Sequence, residues 1–367
     1  MKRRVIISGG GTGGHIYPAL TIADAIRQVT DVEFLYVGSE NGLETELVPK
    51  ANIPFISLRL HGFERRLTPQ NGKTAWEALQ SVVKAGAILR DFRPDIVIGT
   101  GGYVCGPMLL AAALSGVPTL IQEQNVVPGI TNRLLSKVVR KIALGYEEAA
   151  AQFHQPKKIV VTGNPVRREI LAAQRDVSRN RLGLPEDAFV LLAAGGSRGA
   201  RVINQAMQEV LTRYQTNTEI VVMHVTGEQE YERFMQGFTL TGEKHKHLRV
   251  YPYLHTMPDA LAAADLVVYR AGAVGLAELT ALGRPSILVP YPYAAADHQR
   301  RNAAVLAQRG AAVVIENRDL TGALLYETIE PLRQNRTRLE SMASASRSLG
   351  RPQAAEDIAK LALSMMG

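Results

Sequence analysis

A single cysteine, Cys105, in 367 residues excludes an internal disulfide and suits a reducing compartment, so cytoplasm is the expected location. Aromatic residues reach only 6%, and no basic run exceeds Lys2-Arg3-Arg4, which argues against nucleic acid as a partner. Long apolar runs are missing as well. The most apolar segment, 108–114, is far shorter than the roughly 20 residues of a spanning helix. The apolar run behind Lys2-Arg3-Arg4 stops at glycines after a few residues, too early for a signal peptide. What is present is core-forming material: 46% apolar against 21% charged residues supports two domains. The formal net charge is +8, of which residues 1–165 carry +5, from 18 basic and 13 acidic residues. That excess suits an anionic partner such as a phosphorylated substrate or a negatively charged membrane surface.

Short β-rich apolar runs recur at 5–8, 32–37, 96–99, 119–121, 142–144 and 159–162, separated by helical or loop-like sequence. The rhythm restarts at 189–194 and continues through 219–225, 248–251, 266–269, 286–289 and 312–315. This alternation predicts an α/β protein with two doubly wound parallel sheets of about six strands each. Local echoes support a repeat. Gly9-Gly10-Gly11-Thr12-Gly13 matches Gly195-Gly196-Ser197-Arg198-Gly199, and 96–102 matches 266–272. Ala113 to Pro118 likewise matches Ala281 to Pro285, each leading into a strand. The expected boundary is at Gly163-Asn164-Pro165, giving domains 1–164 and 165–350. A final helix over 353–365 fits either domain.

The first glycine cluster lies between a strand and a helix, where backbone N–H groups receive anions. Gly9, Gly11 and Gly14 satisfy G-x-G-x-x-G literally, yet the second strand ends Tyr36-Val37-Gly38-Ser39 without the acid that would bind a dinucleotide ribose. His15 directly behind the glycines is a proton-exchanging candidate, or a packing histidine. Gly99 to Tyr103 and Glu123-Gln124-Asn125 end neighbouring strands and add polar groups to the same edge, as strand ends often do. In the second half, Gly195 to Gly199 reads as a phosphate loop with Ser197 as ligand, or as the nucleophile elbow of a hydrolase with Asp265 and His298 behind it. Arg270 to Gly275 opens a helix bearing Glu278, whose carboxylate suits a ribose or simply the helix dipole. Asp297 to Asn302 suits a sugar, or a solvated helix start; Asp297 and His298 alone make no metal site, and no metal or cofactor is expected. Residues 59–93 combine Arg59, Arg65, Arg66 and Lys73 with Leu60, Phe63, Leu67 and the apolar face of a helix carrying Trp76, Leu79, Val82, Val83 and Leu89. Such a stretch covers a sheet or lies on an anionic membrane.

Together the motifs closely resemble the MurG family over essentially the whole chain. The resemblance rests on Gly10-Gly11-Thr12-Gly13-Gly14-His15, Gly101-Gly102-Tyr103-Val104, Glu123-Gln124-Asn125, Gly163 to Arg167, Gly195 to Arg201, Arg270 to Ala273, and Gln299 with Asn302-Ala303. It implies the GT-B glycosyltransferase fold, two Rossmann-like domains facing across a cleft. It also implies transfer of N-acetylglucosamine from UDP-N-acetylglucosamine to lipid I, giving lipid II for peptidoglycan. By the resemblance, donor contacts fall on Thr12, Gly13, Gly14, Asn125, Arg167, Ser197, Leu254, Ala273, Val274, Gly275, Leu276, Ala277, Glu278 and Gln299. Glu278 is on the ribose, and Gly275 stands where the family usually has threonine. The acceptor, an undecaprenyl-diphosphate muramyl-pentapeptide, is expected on the first half, with the protein peripheral on the inner face of the cell membrane. For the proton of the acceptor 4-hydroxyl, His15 leads and Glu123 is the rival. A serine hydrolase using Ser197, another UDP-sugar enzyme such as an epimerase, and a non-catalytic adaptor are the alternatives.

Overall fold

The computed structural model describes residues 2–59, 69–196, 199–236 and 246–367. The chain forms two compact units, Met1–Val166 with Arg351–Gly367, and Arg167–Gly350.

Among the described residues, the first unit builds a parallel sheet from β1 (Arg3–Gly9), β2 (Val32–Ser39), β3 (Phe55–Leu58), β4 (Ile96–Gly101), β5 (Thr119–Glu123), β6 (Lys141–Leu144) and β7 (Ile159–Val161). Their order is β3-β2-β1-β4-β5-β6-β7. Successive residues of each strand face opposite sides, and helices cover both sides, so the strands read as nearly unbroken apolar runs. Val5 and Ile7 pack with Ile22, Ile26 and the closing helix Ala354–Met365. Ile6 packs on the other face with Met108, Leu109 and Ile88. The closing helix contributes Ile358, Ala359 and Ala362 to this core, so the chain returns to the first unit at its end. The crossing is tight: a β-carbon on Gly163 would lie 2.4 Å from Cβ of Arg351, and Gly163 has a φ of +86°.

The second unit repeats the plan with β8 (Phe189–Ala194), β9 (Ile220–Val225), β10 (Leu248–Tyr251), β11 (Leu266–Tyr269), β12 (Ser286–Leu288) and β13 (Ala312–Val314), ordered β10-β9-β8-β11-β12-β13. β8 thus occupies the place of β1, and β11 that of β4. Each echo seen in the sequence falls at equivalent places in the two sheets. β3, which no apolar run of the sequence marks, is a four-residue edge strand behind Pro54 that pairs with β2 from Tyr36↔Phe55 to Ser39↔Leu58.

In both sheets the strand order reverses beside the first strand of the unit, between β1 and β4 and between β8 and β11. Ligands of open α/β sheets collect outside the carboxyl ends of strands at such a switch point. The glycine turns after β1, β4, β8 and β11 all lie there.

Candidate active site

At the switch point of the first unit, β1 ends at Gly9 and the helix Gly13–Val29 begins after a three-residue turn, with Thr12 as its extended N-cap. The turn is locked to β4: Gly10 N–H donates to the Gly101 carbonyl at 3.3 Å. A β-carbon on Gly102 would lie 2.5 Å from the Gly10 carbonyl oxygen, so only glycine permits this approach. His15 is half-buried, with its ring laid against Gly101. Its Nδ1 lies 2.9 Å from the Gly10 carbonyl oxygen. A carbonyl can only accept, so Nδ1 carries the proton and Nε2 is the basic nitrogen. The backbone of His15 is held too, since Thr100 Oγ1 donates to its carbonyl at 2.8 Å. Thr12 and Gly14 are exposed and Gly13 half-buried at the open N-terminus of the helix.

Glu123, at the end of β5, is buried and fully engaged. One oxygen accepts from Asn125 N at 3.0 Å and Asn125 Nδ2 at 3.3 Å; the other accepts from Gly129 N at 3.1 Å and Asn132 Nδ2 at 2.8 Å. Four donors on one carboxylate shape the 124–129 loop and direct Asn125. Beside it, Gln124 donates to the Thr100 carbonyl at 2.6 Å, and Asn164 donates to the Gln124 carbonyl at 2.9 Å while accepting from Gln122 at 2.9 Å. These amides tie the ends of β4 and β5 to the loop after β7.

In the second unit, β8 leads into Gly195 and Gly196, then Gly199 and the helix Arg201–Arg213. Ser197 lies outside the described residues. A β-carbon on Gly199 would lie 2.0 Å from the Thr226 carbonyl oxygen, which pins the turn against the end of β9. After β11, Gly272 caps the helix Ala273–Leu282, whose first residues are Ala273, Val274 and Gly275. Leu276 and Glu278 face inward, while Val274 and Ala277 are half-buried. A β-carbon on Gly275 would lie 2.5 Å from Cε1 of Tyr269, so the Tyr269 ring occupies the space a threonine would need.

Glu278 is 3% exposed and its Oε1 accepts from Arg167 Nε at 2.8 Å. Burial pushes the Glu278 carboxyl above its ordinary range, only partly offset by the Arg167 charge. Burial lowers Arg167, but the Glu278 charge and hydrogen bond outweigh it and hold the guanidinium above its ordinary value. Arg270 is spent on architecture: Nη1 donates to the Val289 and Pro290 carbonyls and to Asn317, at 3.0, 3.1 and 2.9 Å. It fixes the end of β12, from which Gln299 follows. Gln299 Oε1 accepts from Tyr291 N at 2.9 Å, and Leu254 sits nearly buried in the loop after β10.

Asp265, the acid considered for a hydrolase, does not stand at the glycine turn. Asp265 precedes β11 at the amino edge of the sheet, where its carboxylate accepts from Val190 N at 2.8 Å and from Arg175 at 2.6 Å. β8 runs into Gly195 and Gly196 at the opposite, carboxyl edge, so Asp265 stands at the far end of the strand from that glycine turn.

The main residue missed by sequence reasoning is Glu44. It is fully buried and its carboxylate accepts from Gly11 N at 3.2 Å, from Ser39 N at 2.9 Å and from the Ser39 hydroxyl. The first glycine turn therefore already holds an anion of the chain's own. The only available signal was an acid shortly after β2, on the helix Glu44–Lys50.

Of the membrane candidates, residues 60–68 and the side chains of Lys73 and Trp76 lie outside the described residues. In the helix Pro69–Phe92, Ala85, Ile88 and Leu89 are buried in the core whereas Leu79 and Val83 are exposed. Leu114, Ile130 and Leu134 are exposed on the next two helices, Cys105–Leu114 and Ile130–Leu135. Among the described residues, no helix is long and apolar enough to cross a membrane.

Residues 5–144 match the model of the glycosyltransferase family 28 N-terminal domain, and residues 190–360 match that of its C-terminal domain. A UDP-N-acetylglucosamine--N-acetylmuramyl-(pentapeptide) pyrophosphoryl-undecaprenol N-acetylglucosamine transferase of Desulforamulus reducens is 49% identical over 361 residues, covering 97% of each chain. The transferase of the same description from Desulforudis audaxviator is 48% identical over 359 residues, covering 97% of this chain and 96% of the other. Among solved structures, MurG of Acinetobacter baumannii matches with a TM-score of 0.78 and 29% identity over 99% of both chains. With paired family 28 domains, the GT-B fold and relatives of this identity along its whole length, the chain belongs to the MurG family of UDP-N-acetylglucosamine-dependent N-acetylglucosaminyltransferases.

Proposed function

We infer that this chain moves N-acetylglucosamine from UDP-N-acetylglucosamine to the 4-hydroxyl of the muramic acid of lipid I, giving lipid II and UDP with inversion at the anomeric carbon. The observation that carries the mechanism is His15, whose Nδ1 is committed to the Gly10 carbonyl. Nε2 then takes the proton as the acceptor oxygen attacks C1 and the bond from C1 to the UDP oxygen breaks. Glu123 cannot easily share this role, because four donors already occupy its oxygens. It positions Asn125 instead.

The second unit takes the nucleotide in this reading. The open N-termini of the helices Arg201–Arg213 and Ala273–Leu282, with Ser197, stabilise the charge that builds on the departing diphosphate. Glu278 accepts from the ribose hydroxyls, oriented by Arg167. Val274, Gly275, Leu276 and Ala277 shape this binding turn, and Leu254 and Gln299 border it. Thr12, Gly13, Gly14 and Asn125 contact the sugar end from the first unit.

The first unit also handles the lipid acceptor. Leu79, Val83, Leu114, Ile130 and Leu134 are exposed on successive packed helices, with Arg133 and Lys137 beside Ile130 and Leu134. Apolar groups with a cationic fringe suit the anionic inner face of a cell membrane, on which the protein sits peripherally. Incubation with labelled UDP-N-acetylglucosamine and a lipid I analogue tests the reading: a disaccharide-bearing lipid is expected, whereas free sugar or an isomerised nucleotide sugar would refute it.

A further inference from the structure

His15 and Glu44 contact opposite ends of one peptide group. His15 Nδ1–H donates to the Gly10 carbonyl at 2.9 Å, and the N–H of the same peptide, on Gly11, donates to Glu44 Oε2 at 3.2 Å. A buried carboxylate pulling on the N–H polarises the peptide and makes its carbonyl a stronger acceptor. The imidazole thus stands toward Glu44 as a triad histidine stands toward its aspartate, with one amide interposed.

The pocket is built around the acid. β-Carbons on Gly10, Gly38 or Gly42 would meet Glu44 side-chain atoms at 2.3, 2.7 and 2.0 Å. Three glycines therefore make room for it, and Ser39 fixes it with backbone and hydroxyl. Among the described residues, two other titratable groups face the turn. Tyr36 donates to the Gly9 carbonyl at 2.9 Å, and the Cys105 thiol is 2.8 Å from the Ser8 carbonyl and 2.9 Å from that of Gly101. Burial pushes Tyr36 well up, helped by Cys105 and Glu44, and pushes Cys105 to about 11. Both stay neutral near pH 7, so among the described residues Glu44 is the acid this pocket presents to the turn.

We propose that Glu44 is a positioning residue for the transfer: through the Gly10–Gly11 peptide it fixes the His15 tautomer and stabilises the imidazolium that forms when the acceptor hydroxyl loses its proton. The proposal rests on the reading of His15 as base. It also explains why an anion-receiving glycine turn follows β1 although the nucleotide is assigned to the second unit.

The test combines Glu44→Gln, His15→Ala and the double variant with NMR titration of the His15 ring. Glu44→Gln keeps the shape and removes the charge. The expected result is a His15 titration lowered by about half a pH unit or more and a kcat lowered roughly tenfold to a hundredfold, with KM for UDP-N-acetylglucosamine within about twofold. The double variant should be no slower than His15→Ala. A Glu44→Gln protein with unchanged titration and kcat, alongside an inactive His15→Ala protein, overturns the role of Glu44 and leaves the base intact. A fully active His15→Ala protein overturns the base itself. Should Glu44→Gln not fold, the unmutated protein decides: the Gly11 amide resonance must follow the His15 titration, and a Gly11 amide indifferent to it overturns the proposal.

Discussion

Arg167 Nε lies 2.8 Å from Glu278 Oε1, linking the start of the second unit to the helix after β11. The pair is a buried carboxylate whose charge is tolerated because a guanidinium compensates it. Arg167→Ala should leave Glu278 uncompensated, costing about 3 kcal/mol of stability. In the proposed function the same change weakens UDP binding by about tenfold, because the carboxylate loses its orientation. Urea unfolding and calorimetric titration with UDP measure the two effects; an Arg167→Ala protein with wild-type stability and affinity would contradict the assignment.

Gly275 and Tyr269 exclude a side chain from the first turn of that helix. Gly275→Ala should push the Tyr269 ring aside, because its β-carbon would stand 2.5 Å from Cε1. The expected outcome is a raised KM for UDP-N-acetylglucosamine with the lipid acceptor KM unchanged. If Tyr269 is what forbids the side chain, shortening it in Gly275→Ala/Tyr269→Ala restores part of the lost affinity, measured by steady-state kinetics.

His224 gives the second unit an acid-sensitive core. It is fully buried on β9; its Nδ1 faces the Ala193 carbonyl at 3.2 Å and Nε2 finds no hydrogen-bond partner among the described residues. Burial lowers its pKa from 6.5 to about 4, opposed by the Ala193 contact. Between those values the unfolded chain binds the proton that the folded chain refuses. Stability is therefore fully present above about pH 6.5 and falls as pH drops toward 4, by roughly 3 kcal/mol at most. Urea unfolding at pH 7 and pH 4.5 should show this loss, and His224→Leu should flatten it.

The strands and the repeat were legible because both sheet faces are buried, leaving apolar runs such as Val5-Ile6-Ile7 and Val190-Leu191-Leu192 between glycine turns. β3 was not, since four residues at a sheet edge carry little pattern. His15 could be singled out because it stands beside its glycines in sequence. Glu44 could not, because its partner Gly11 is 33 residues away and they meet only once β1 and β2 pair. The structural roles of Glu123 and Arg270 were equally hidden, for their partners lie in loops whose course composition does not specify. The place of the last helix, open in the sequence, follows from the fit of Ile358 and Ala362 on the β1 face.

Leu79 and Val83 face solvent from a helix whose opposite side is core. Leu79→Glu with Val83→Glu should leave the fold intact and lower binding to vesicles containing anionic lipid by at least about tenfold, given roughly 1.5 to 3 kcal/mol for each apolar side chain buried. Turnover with a short-chain, water-soluble acceptor should not change. Equal vesicle binding by variant and parent in a sedimentation assay would remove this face from the membrane contact.

Whether His15 takes the acceptor proton is decided by His15→Ala, with kcat and UDP affinity measured on the same preparation. With His15 as the base, kcat falls by about 10² to 10⁴ while UDP affinity stays within about twofold of the parent. A kcat and an affinity that fall in step, or a kcat that does not fall, would contradict it.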